Sequence, residues 1–425
     1  MATTIEVQVL GRIYWLLVTI VMTAAGSLLA SYHSQWPVLI LGLVPMLLLG
    51  WRYERIVFNG IRIERRGPIA LLEGLVSGQR QILPLDAVEM VTTEAIRSRR
   101  GLRQIKYLYR ITLAGANVQI GIMMAIRHHS SSAELVKQLF NVLAESKLDP
   151  RSFELKQHLN ERHPKEALIG FARKIETSDL DGEVYHKLPT TLLRQLANSL
   201  KLEGYMQQAL HCFSLAYERD PHNAHLLYEM ARFLRSLAAI NDPRLLNRSR
   251  ACLRLAAFLG RNEPHLLERI GETYFERLEY KLAARCFLKA LLIEPTLYRA
   301  NVGLAEIALR DGKLAHVAHF YQSAATASED RAQRDLATRE AHYYSRLCND
   351  EDYYEAEVNR ITKLRSFQWA RNLSGLLFLI FWILALLSGR FSNELGGFAW
   401  SAVLSTSLVW FASFLLSLHY SQRHQ

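Results

Sequence analysis

Two apolar stretches near each end of the chain constrain its fold more than any other feature. They cover residues 13–31 and 37–51 at the start and residues 373–388 and 398–418 at the end. A helix needs about 20 apolar residues to cross the ~30 Å hydrocarbon layer of a bilayer. The second stretch is shorter and contains Pro45, so crossing requires a tilt, a kink or flanking side chains at the interface. We therefore predict four transmembrane helices, paired as hairpins at 1–51 and 366–425.

A cleaved secretory signal is the alternative interpretation of the first stretch. The small residues at 24–27 would suit a cleavage site. However, only Arg12 precedes the stretch, and a second apolar stretch follows at once, which is not the layout of a signal peptide. The sequence therefore favours a membrane hairpin at the start of the chain.

Basic residues beside these stretches predict the orientation of the chain. They are Arg52, Arg55, Arg62, Arg65 and Arg66 after the second stretch, and Lys363, Arg365 and Arg371 before the third. The turn between the last two stretches has Arg390, which Glu394 balances. Because positive charge stays on the cytoplasmic side, we predict that residues 52–371 and both termini are cytoplasmic, at a bacterial-type inner membrane.

Length and charge bound the rest of the chain. Its 425 residues suffice for two or three domains. Lysine and arginine exceed aspartate and glutamate by 51 to 40, a net charge of +11 that suits anionic lipid, acidic peptides or nucleic acid. For a chain with apolar spans anionic lipid is the simplest partner and nucleic acid the least favoured. The four cysteines form no CxxC pair, so we predict reduced, buried, inert thiols without a metal.

Residues 52–146 change from a helical to an alternating pattern. Asn59-Gly60 is a strong hairpin signal between strands at 55–58 and 61–64, and a second hairpin is predicted from 107–113 and 118–122. Ser132 is the expected cap of a closing amphipathic helix at 132–143. Several strands closed by one helix, with Leu83-Pro84-Leu85 opening a strand, resemble the bacterial pleckstrin-homology-like domain. The resemblance implies an oligomerising or ligand-docking platform and assigns no particular ligand.

A basic segment lies between the predicted strands of this region. Its cations are Arg97, Arg99, Arg100, Arg103 and Lys106. Close to a bilayer, each cation would contribute about 1 kcal/mol to the binding of anionic lipid. RNA or an acidic protein is an alternative ligand. A solvated loop without a specific partner is the plainest interpretation.

The middle of the chain repeats small and large residues with a period of about 34 residues, which is typical of paired antiparallel helices. One copy has Leu193, Leu196, Ala197, Gly204, Ala209, Phe213 and Pro221; the next has Leu267, Ile270, Gly271, Ala283, Phe287 and Pro295; a third has Leu304, Ala305, Gly312 and Ala324. Between the first two lies a stretched copy with extra residues around Asn241-Asp242-Pro243. Small residues allow close approach of the helices, and the large residue fills the gap.

These offsets closely match the tetratricopeptide-repeat family, which implies a right-handed solenoid over 190–365 with a concave groove for peptides or partner proteins. Helices at 164–175 and 331–363 would cap it, and 147–189 would be a linker. Arg194 and Asn198 match the first two positions of the clamp with which some family members hold a C-terminal carboxylate, but Glu229 stands where that pattern has asparagine. A groove for an acidic segment and a solvated basic face both remain open. The groove-facing candidates are Arg194, Asn198, Lys201, Arg232, Arg235 and Arg269.

The chain has no P-loop, no GxGxxG after a strand, no HExxH and no GxSxG. We therefore predict a mainly α membrane protein without catalytic residues, metal or cofactor: an α-solenoid, a small strand-rich domain and four transmembrane helices. The expected function is a scaffold, or an accessory or assembly subunit, that recruits protein partners to a membrane complex. The alternative is a sensor whose β domain binds anionic lipid or a small ligand. A stoichiometric protein partner would favour the scaffold, and liposome binding through Arg97, Arg99, Arg100 and Arg103 would favour the sensor. Transport is disfavoured because the predicted spans contain no charged residue.

Overall fold

The structure, a computed structural model, is mainly helical and contains small antiparallel sheets. The chain divides into two compact units, one formed by Met1–Leu10 and Arg52–Tyr344 and the other by Gly11–Trp51 and Ser345–Gln425. The first two predicted spans lie outside the described residues. The structure describes residues 5–8, 53–68, 70–71, 81–98, 106–116, 118–126, 131–160, 183–238, 242–388 and 393–421.

A four-stranded antiparallel sheet belongs to the first unit. The Oδ1 atom of Asn59 accepts hydrogen bonds from the backbone N–H groups of Ile61 and Arg62, and Gly60 has a φ of 83°, a value that favours glycine. The hairpin predicted at Asn59-Gly60 is therefore confirmed. The strands lie in sequence order: β1 (Ile5–Gln8), β2 (Arg55–Phe58), β3 (Arg62–Arg66) and β4 (Ile82–Pro84).

Strand β1 was not predicted. It runs antiparallel to β2, with Ile5 opposite Phe58 and Gln8 opposite Arg55. Its four residues are too few to show an alternating pattern beside a long apolar stretch. The chain therefore leaves this sheet after Gln8 and returns to it on the neighbouring strand.

A second, three-stranded antiparallel sheet consists of β5 (Val88–Ser98), β6 (Lys106–Gly115) and β7 (Gln119–Ala125). The predicted hairpin between β6 and β7 is confirmed, because Leu113 pairs with Ile120 and the N–H of Gly115 donates to the carbonyl of Val118 at 3.0 Å. A single 3-10 turn at Leu85–Ala87 separates β4 from the eleven-residue β5.

Helix α1 (Ser131–Val142) closes this domain, as predicted within one residue at each end. Its buried face packs in one core with residues of both sheets, among them Phe58, Ile63, Ile111 and Ile122, and this burial drives the fold of the domain. The core does not end at residue 146. Helix α2 (Pro150–Asn160) contributes Leu155 and Leu159 to it, and the first long solenoid helix contributes Leu202.

The solenoid consists of consecutive helix pairs, so the prediction of a helical repeat array is confirmed. After the short helix α3 (Glu183–His186) come α4 (Thr190–Glu203), α5 (Met206–Arg219), α6 (Ala224–Leu237), α7 (Pro243–Leu259), α8 (Pro264–Glu276), α9 (Tyr280–Ile293), α10 (Tyr298–Arg310), α11 (Leu314–Ala327) and α12 (Arg331–Asn349). Helix 164–175, predicted as a cap, lies outside the described residues.

The ring of Phe287 shows why small residues recur in these helices. It lies on α9 between Gly271 of α8 and Gly303 of α10. A Cβ atom on either glycine would come within 2.5–2.6 Å of the ring. Glycine is therefore required here for close packing, and the predicted division into small and large positions is confirmed.

The stretched copy forms the helix pair α6 and α7. Asp242 caps α7, since its Oδ1 atom accepts hydrogen bonds from the N–H groups of Arg244 and Leu245, and Pro243 occupies the first helical position. The insertion thus starts a longer second helix, of 17 residues, and does not interrupt the array.

Two long helices dominate the described part of the second unit: α13 (Glu351–Ser388) and α14 (Asn393–Ser421). Both are long and apolar enough to cross a membrane: an 18-residue window within Glu351–Ala385 has a mean hydropathy of 1.3, and one within Phe398–Ser421 has a mean hydropathy of 1.7. Helix α13 runs without a break through residue 365, where the sequence suggested a boundary between solenoid and hairpin. The predicted cap at 331–363 is accordingly divided between α12 and the start of α13.

The prediction that all four cysteines are buried is wrong for two of them. Cys212 and Cys286 are buried between repeat helices, whereas Cys252 is half-buried and Cys348 is exposed. Burial raises the pKa of the Cys212 thiol to about 12 and that of Cys286 to about 11, which makes both poor nucleophiles.

Candidate protein-binding groove

Helix α2 connects the sheet domain to the solenoid. The carboxylate of Asp149 accepts hydrogen bonds from the N–H groups of Ser152, at 2.8 Å, and of Thr93 on β5, at 3.3 Å. The Thr93 and Ser152 hydroxyls are 2.7 Å apart and both residues are buried. These bonds fix the N-terminus of α2 against β5 and aim the rest of the helix at the repeats.

The solenoid surface that contacts α2, here called the inner face, holds one carboxylate of that helix between two cations. Glu154 lies 2.8 Å from Nζ of Lys201 on α4 and 2.7 Å from Nε of Arg232 on α6. Burial alone would raise the pKa of Glu154, but the charges of Arg232 and Lys201 outweigh it and hold the pKa below its ordinary value. Two of the predicted groove cations are thus paired with a carboxylate of the same chain.

A third groove candidate, Arg269 on α8, stacks on the next residue of α2. Its guanidinium lies 3.7 Å from the centre of the Phe153 ring, in cation–π geometry. Arg269 is half-buried, and no carboxylate of the described residues lies within ion-pair distance of it. It therefore remains able to pair with an anionic group.

The two residues that match a carboxylate clamp face a carboxylate of their own repeat array. The Nε atom of Arg194 lies 3.2 Å from Glu229, and Asn198 hydrogen-bonds the same side chain. Burial raises the pKa of Glu229 to about 7, although Arg194 and Asn198 act in the opposite direction. Glu229, which departs from the clamp pattern, is thus the partner of both Arg194 and Asn198.

The sixth candidate, Arg235, lies apart from these contacts. It is exposed near the end of α6, and its charge acts on the pKa of Arg277. Neither α2 nor the cavity described below involves it. Four of the six candidates are therefore buried or half-buried near α2, namely Arg194, Asn198, Lys201 and Arg232. Of the other two, Arg269 stacks on Phe153 and Arg235 is exposed.

The sheet domain also contacts the far end of the repeat array. Lys147 forms a buried ion pair of 2.8 Å with Asp330, and Ser146 exchanges two hydrogen bonds with Gln333 of α12. Arg339 of α12 pairs with Glu89 of β5 at 2.5 Å. Together with the Glu154 contacts, these bonds connect the sheet domain to both the early and the late helices of the array.

A cavity of about 700 Å³ remains between α2 and the later repeats. Burial raises the pKa of Glu268, which accepts a hydrogen bond from the N–H of Ala300, and raises that of the neighbouring Glu272 to about 7. The lining combines aromatic, cationic, acidic and neutral polar groups, which suits a peptide segment more than an apolar ligand. It includes Phe153, Glu268, Arg269, Tyr298, Arg299 and Gln333.

The basic segment predicted to bind lipid lies at the β5–β6 connection. Arg97 is in β5 opposite Tyr107, and Lys106, the first residue of β6, pairs with Ser98. Arg99, Arg100 and Arg103 lie outside the described residues. Their role as lipid ligands stays a prediction.

Sequence reasoning missed Glu154, Phe153 and Lys147. All three lie in a region taken as a linker, and α2 has a weak amphipathic pattern, so no local signal marks them. Within the part of the chain that the structure describes, no group of three or more His, Cys, Asp or Glu side chains is placed to hold a metal ion.

The geometry defines a helical-repeat protein whose inner face carries a small antiparallel sheet domain. No family model and no curated protein matches the chain. The solved structures that match the chain include two crystal structures of MamA. One is 16% identical, covering 38% of this chain and 95% of MamA with a TM-score of 0.28; the other is 14% identical, covering 37% and 96% with a TM-score of 0.27. A likeness at this level carries no argument about function, so the site is interpreted from its own contacts.

Proposed function

We propose that this chain is a membrane-anchored, non-enzymatic scaffold whose inner face receives a segment of a protein partner. The observation that supports it most is the 700 Å³ cavity beside α2, where the stacked guanidinium of Arg269 has no ion-pair partner among the described residues. An acidic side chain of the partner would pair with Arg269, while peptide groups would meet Tyr298 and Gln333. A charge-assisted contact of this kind contributes about 1.5–3 kcal/mol.

The partner would bind beside α2, because the earlier part of the inner face is already occupied. Lys201 and Arg232 are buried and paired with Glu154, and Arg194 is paired with Glu229. We therefore propose Arg269 as the main partner-binding residue of the six candidates, with Lys201, Arg232, Arg194 and Asn198 in supporting positions.

Two features support a location at the inner membrane, with residues 52–371 in the cytoplasm as the sequence predicts. Strands β1 and β2 are antiparallel neighbours, so the chain leaves β1 and enters β2 at the same end of the sheet. An even number of membrane crossings between the two strands would return the chain to that end. Helices α13 and α14 are long enough to span the hydrocarbon layer. Four spans and two cytoplasmic termini would follow.

The architecture of the sheet domain supports the proposed resemblance to pleckstrin-homology-like domains. A four-stranded and a three-stranded antiparallel sheet share one core, and a C-terminal helix closes that core. We propose that the domain runs beyond residue 146 to include α2, since Leu155 and Leu159 lie in its core. Through α2 the domain lies against the inner face and narrows the groove that is left for a partner.

Affinity purification of the full chain in mild detergent, followed by mass spectrometry, tests the scaffold. A stoichiometric protein should copurify with the native chain, and Arg269→Glu should reduce its recovery at least tenfold, as expected for loss of a contact of about 1.5–3 kcal/mol. Arg235→Glu is the matched control, because it changes the same charge on the same array outside the cavity. Equal recovery with Arg269→Glu and the native chain would exclude the cavity as the binding site.

A further inference from the structure

Two neighbouring second helices, α7 and α9, carry positive charge without any negative charge. Pro243–Leu259 and Tyr280–Ile293 contain no aspartate or glutamate, and all of their basic side chains are exposed. Only Arg250 has an ion-pair partner among the described residues, Glu279 at 2.9 Å. The basic side chains are Arg244, Arg248, Arg250 and Arg254 on α7 and Lys281, Arg285 and Lys289 on α9.

Exposed apolar side chains continue the same stripes. On α7, Arg244 and Arg248 are followed at helical spacing by Leu255, 39% exposed, and Phe258, 64% exposed. On α9, Lys281 and Arg285 are followed by Leu288, 49% exposed, and Leu292, 84% exposed. Each helix is therefore basic along its first half and apolar along its second half on one outward stripe.

The two stripes belong to one surface, here called the outer basic face. The ion pair of Arg250 with Glu279, the residue before α9, brings the helices together, and their inward sides share one core through Ala256 and Ala283. The guanidinium of Arg261, just after α7, lies 5.6 Å from the centre of the Phe258 ring. The outer basic face thus has a basic end and an apolar end on each helix.

We propose that the outer basic face docks on an anionic phospholipid surface. Unpaired guanidinium and ammonium groups would meet lipid phosphates, while Leu255, Phe258, Leu288 and Leu292 would enter the headgroup region, as on interfacial amphipathic helices. Nucleic acid is also anionic. However, three of the four apolar side chains just named are leucines, which have no aromatic ring on which bases could stack. This surface is distinct from the inner face, and its role does not depend on what the cavity binds.

A fluorescent label at the apolar end of the face tests the proposal in the full chain. Phe258→Cys and Leu292→Cys, each in a Cys348→Ser background, would carry an environment-sensitive fluorophore, with the Cys348→Ser parent reporting any label on Cys252. The chain would be placed in nanodiscs of phosphatidylcholine alone or of an equal mixture with phosphatidylglycerol. We expect a blue shift and protection from aqueous iodide with phosphatidylglycerol, and loss of both in the variant Arg244→Glu/Arg248→Glu/Arg254→Glu.

The control reverses three exposed cations elsewhere, Lys187→Glu/Lys313→Glu/Arg331→Glu, which changes net charge equally and should keep the shift. Identical emission in both lipid mixtures, or a shift that survives reversal on α7, overturns the proposal. Binding of poly(U) or polyglutamate to the detergent-solubilised chain that is lost on α7 reversal, without a lipid effect, would assign the face to another partner and also overturn it.

Recovery in the nanodisc fraction tests membrane insertion separately from the outer basic face. A chain that stays out of nanodiscs would be floated with vesicles of the same two compositions. Each basic side chain near an anionic surface strengthens binding about fivefold, so the triple reversal on α7 should weaken flotation by about 100-fold. Equal flotation of the native chain and this variant contradicts the proposal.

Discussion

Oε1 of Glu154 lies 2.7 Å from Nε of Arg232, and both side chains are buried where α2 meets the inner face of the repeats. The same carboxylate also hydrogen-bonds Lys201 at 2.8 Å. One carboxylate, on Glu154, therefore pairs with two cations of the solenoid and balances one of their two charges. Two of the cations that the sequence suggested for a groove are therefore buried and paired within the chain.

Removal of Glu154 should be strongly destabilising. Glu154→Ala would leave Lys201 and Arg232 buried without a counter-charge, and breaking a buried pair from one side costs about 3–5 kcal/mol. Chemical unfolding of the full chain in detergent would measure this loss. Far-UV circular dichroism is the suitable signal, because all seven tryptophans lie outside residues 52–344.

Glu145→Ala is the control for this prediction. Glu145 pairs with Lys156 at 3.5 Å but is 61% exposed, so its removal should cost less than about 1 kcal/mol. Similar unfolding free energies for the two variants would mean that the contact between α2 and the inner face contributes little to stability.

Glu229 should make stability depend on pH. Its pKa is about 7 in the folded chain and near 4.5 without the fold, because burial disfavours the charged form. Between these values the folded chain keeps a proton that the unfolded chain releases, so this residue lowers the free energy of unfolding as pH rises from 4.5 to 7. The decrease amounts to about 3 kcal/mol from a shift of about 2.5 pKa units.

Glu229→Gln should abolish that decrease. In unfolding curves recorded from pH 4.5 to 8, the free energy of unfolding of the variant should increasingly exceed that of the native chain as pH rises. Parallel pH profiles would show that the carboxyl of Glu229 titrates normally. Because Glu154 has a lowered pKa, its own contribution has the opposite sign and is lost only as pH falls below 4.5.

Gly271→Ala should destabilise the repeats, although alanine ordinarily stabilises a helix relative to glycine by about 0.5–1 kcal/mol. The new Cβ atom would lie 2.6 Å from the ring of Phe287. Overpacking of this kind costs about 1–3 kcal/mol, so the steric cost exceeds the helical gain. Chemical unfolding in the Phe287→Leu background provides the check, since the smaller side chain should remove most of the penalty. An equal penalty in both backgrounds would exclude the ring as its cause.

Cys348 should be the first thiol to react in the native chain. It is exposed, whereas Cys212 and Cys286 are buried with pKa values raised to about 12 and about 11. Brief maleimide treatment followed by peptide mass spectrometry should find Cys348 modified and both buried cysteines unmodified until denaturant is added. Early modification of Cys212 would mean that α5 opens readily.

The repeat array could be predicted because its signal is local and periodic. Gly271, Ala283 and Phe287 stand at offsets that only paired helices explain, and Asn59-Gly60 specifies its turn through its own side chain and backbone. The state of the inner face could not be predicted in this way. Glu154 is separated by 47 residues from Lys201, and nothing in the spacing of α2 indicates that it packs against the solenoid.

Strand β1 could not be predicted from the sequence either. Four residues do not form a visible pattern, and their partner lies beyond a long apolar segment. Arg269 combines a predictable feature with an unpredictable one. The repeat offsets predict the helix that carries it, whereas its stacking on Phe153 depends on α2, which has only a weak pattern in the sequence.

The pairing of β1 with β2 also sets an order for biosynthesis. A ribosome releases Ile5–Gln8 before the apolar residues and Arg55–Phe58 only after them. Val7, which is buried in the core of the sheet domain, therefore has no partner strand until the intervening segment has been translated. Folding of this domain from its N-terminus cannot reach completion on the nascent chain before Arg55–Phe58 have left the ribosome.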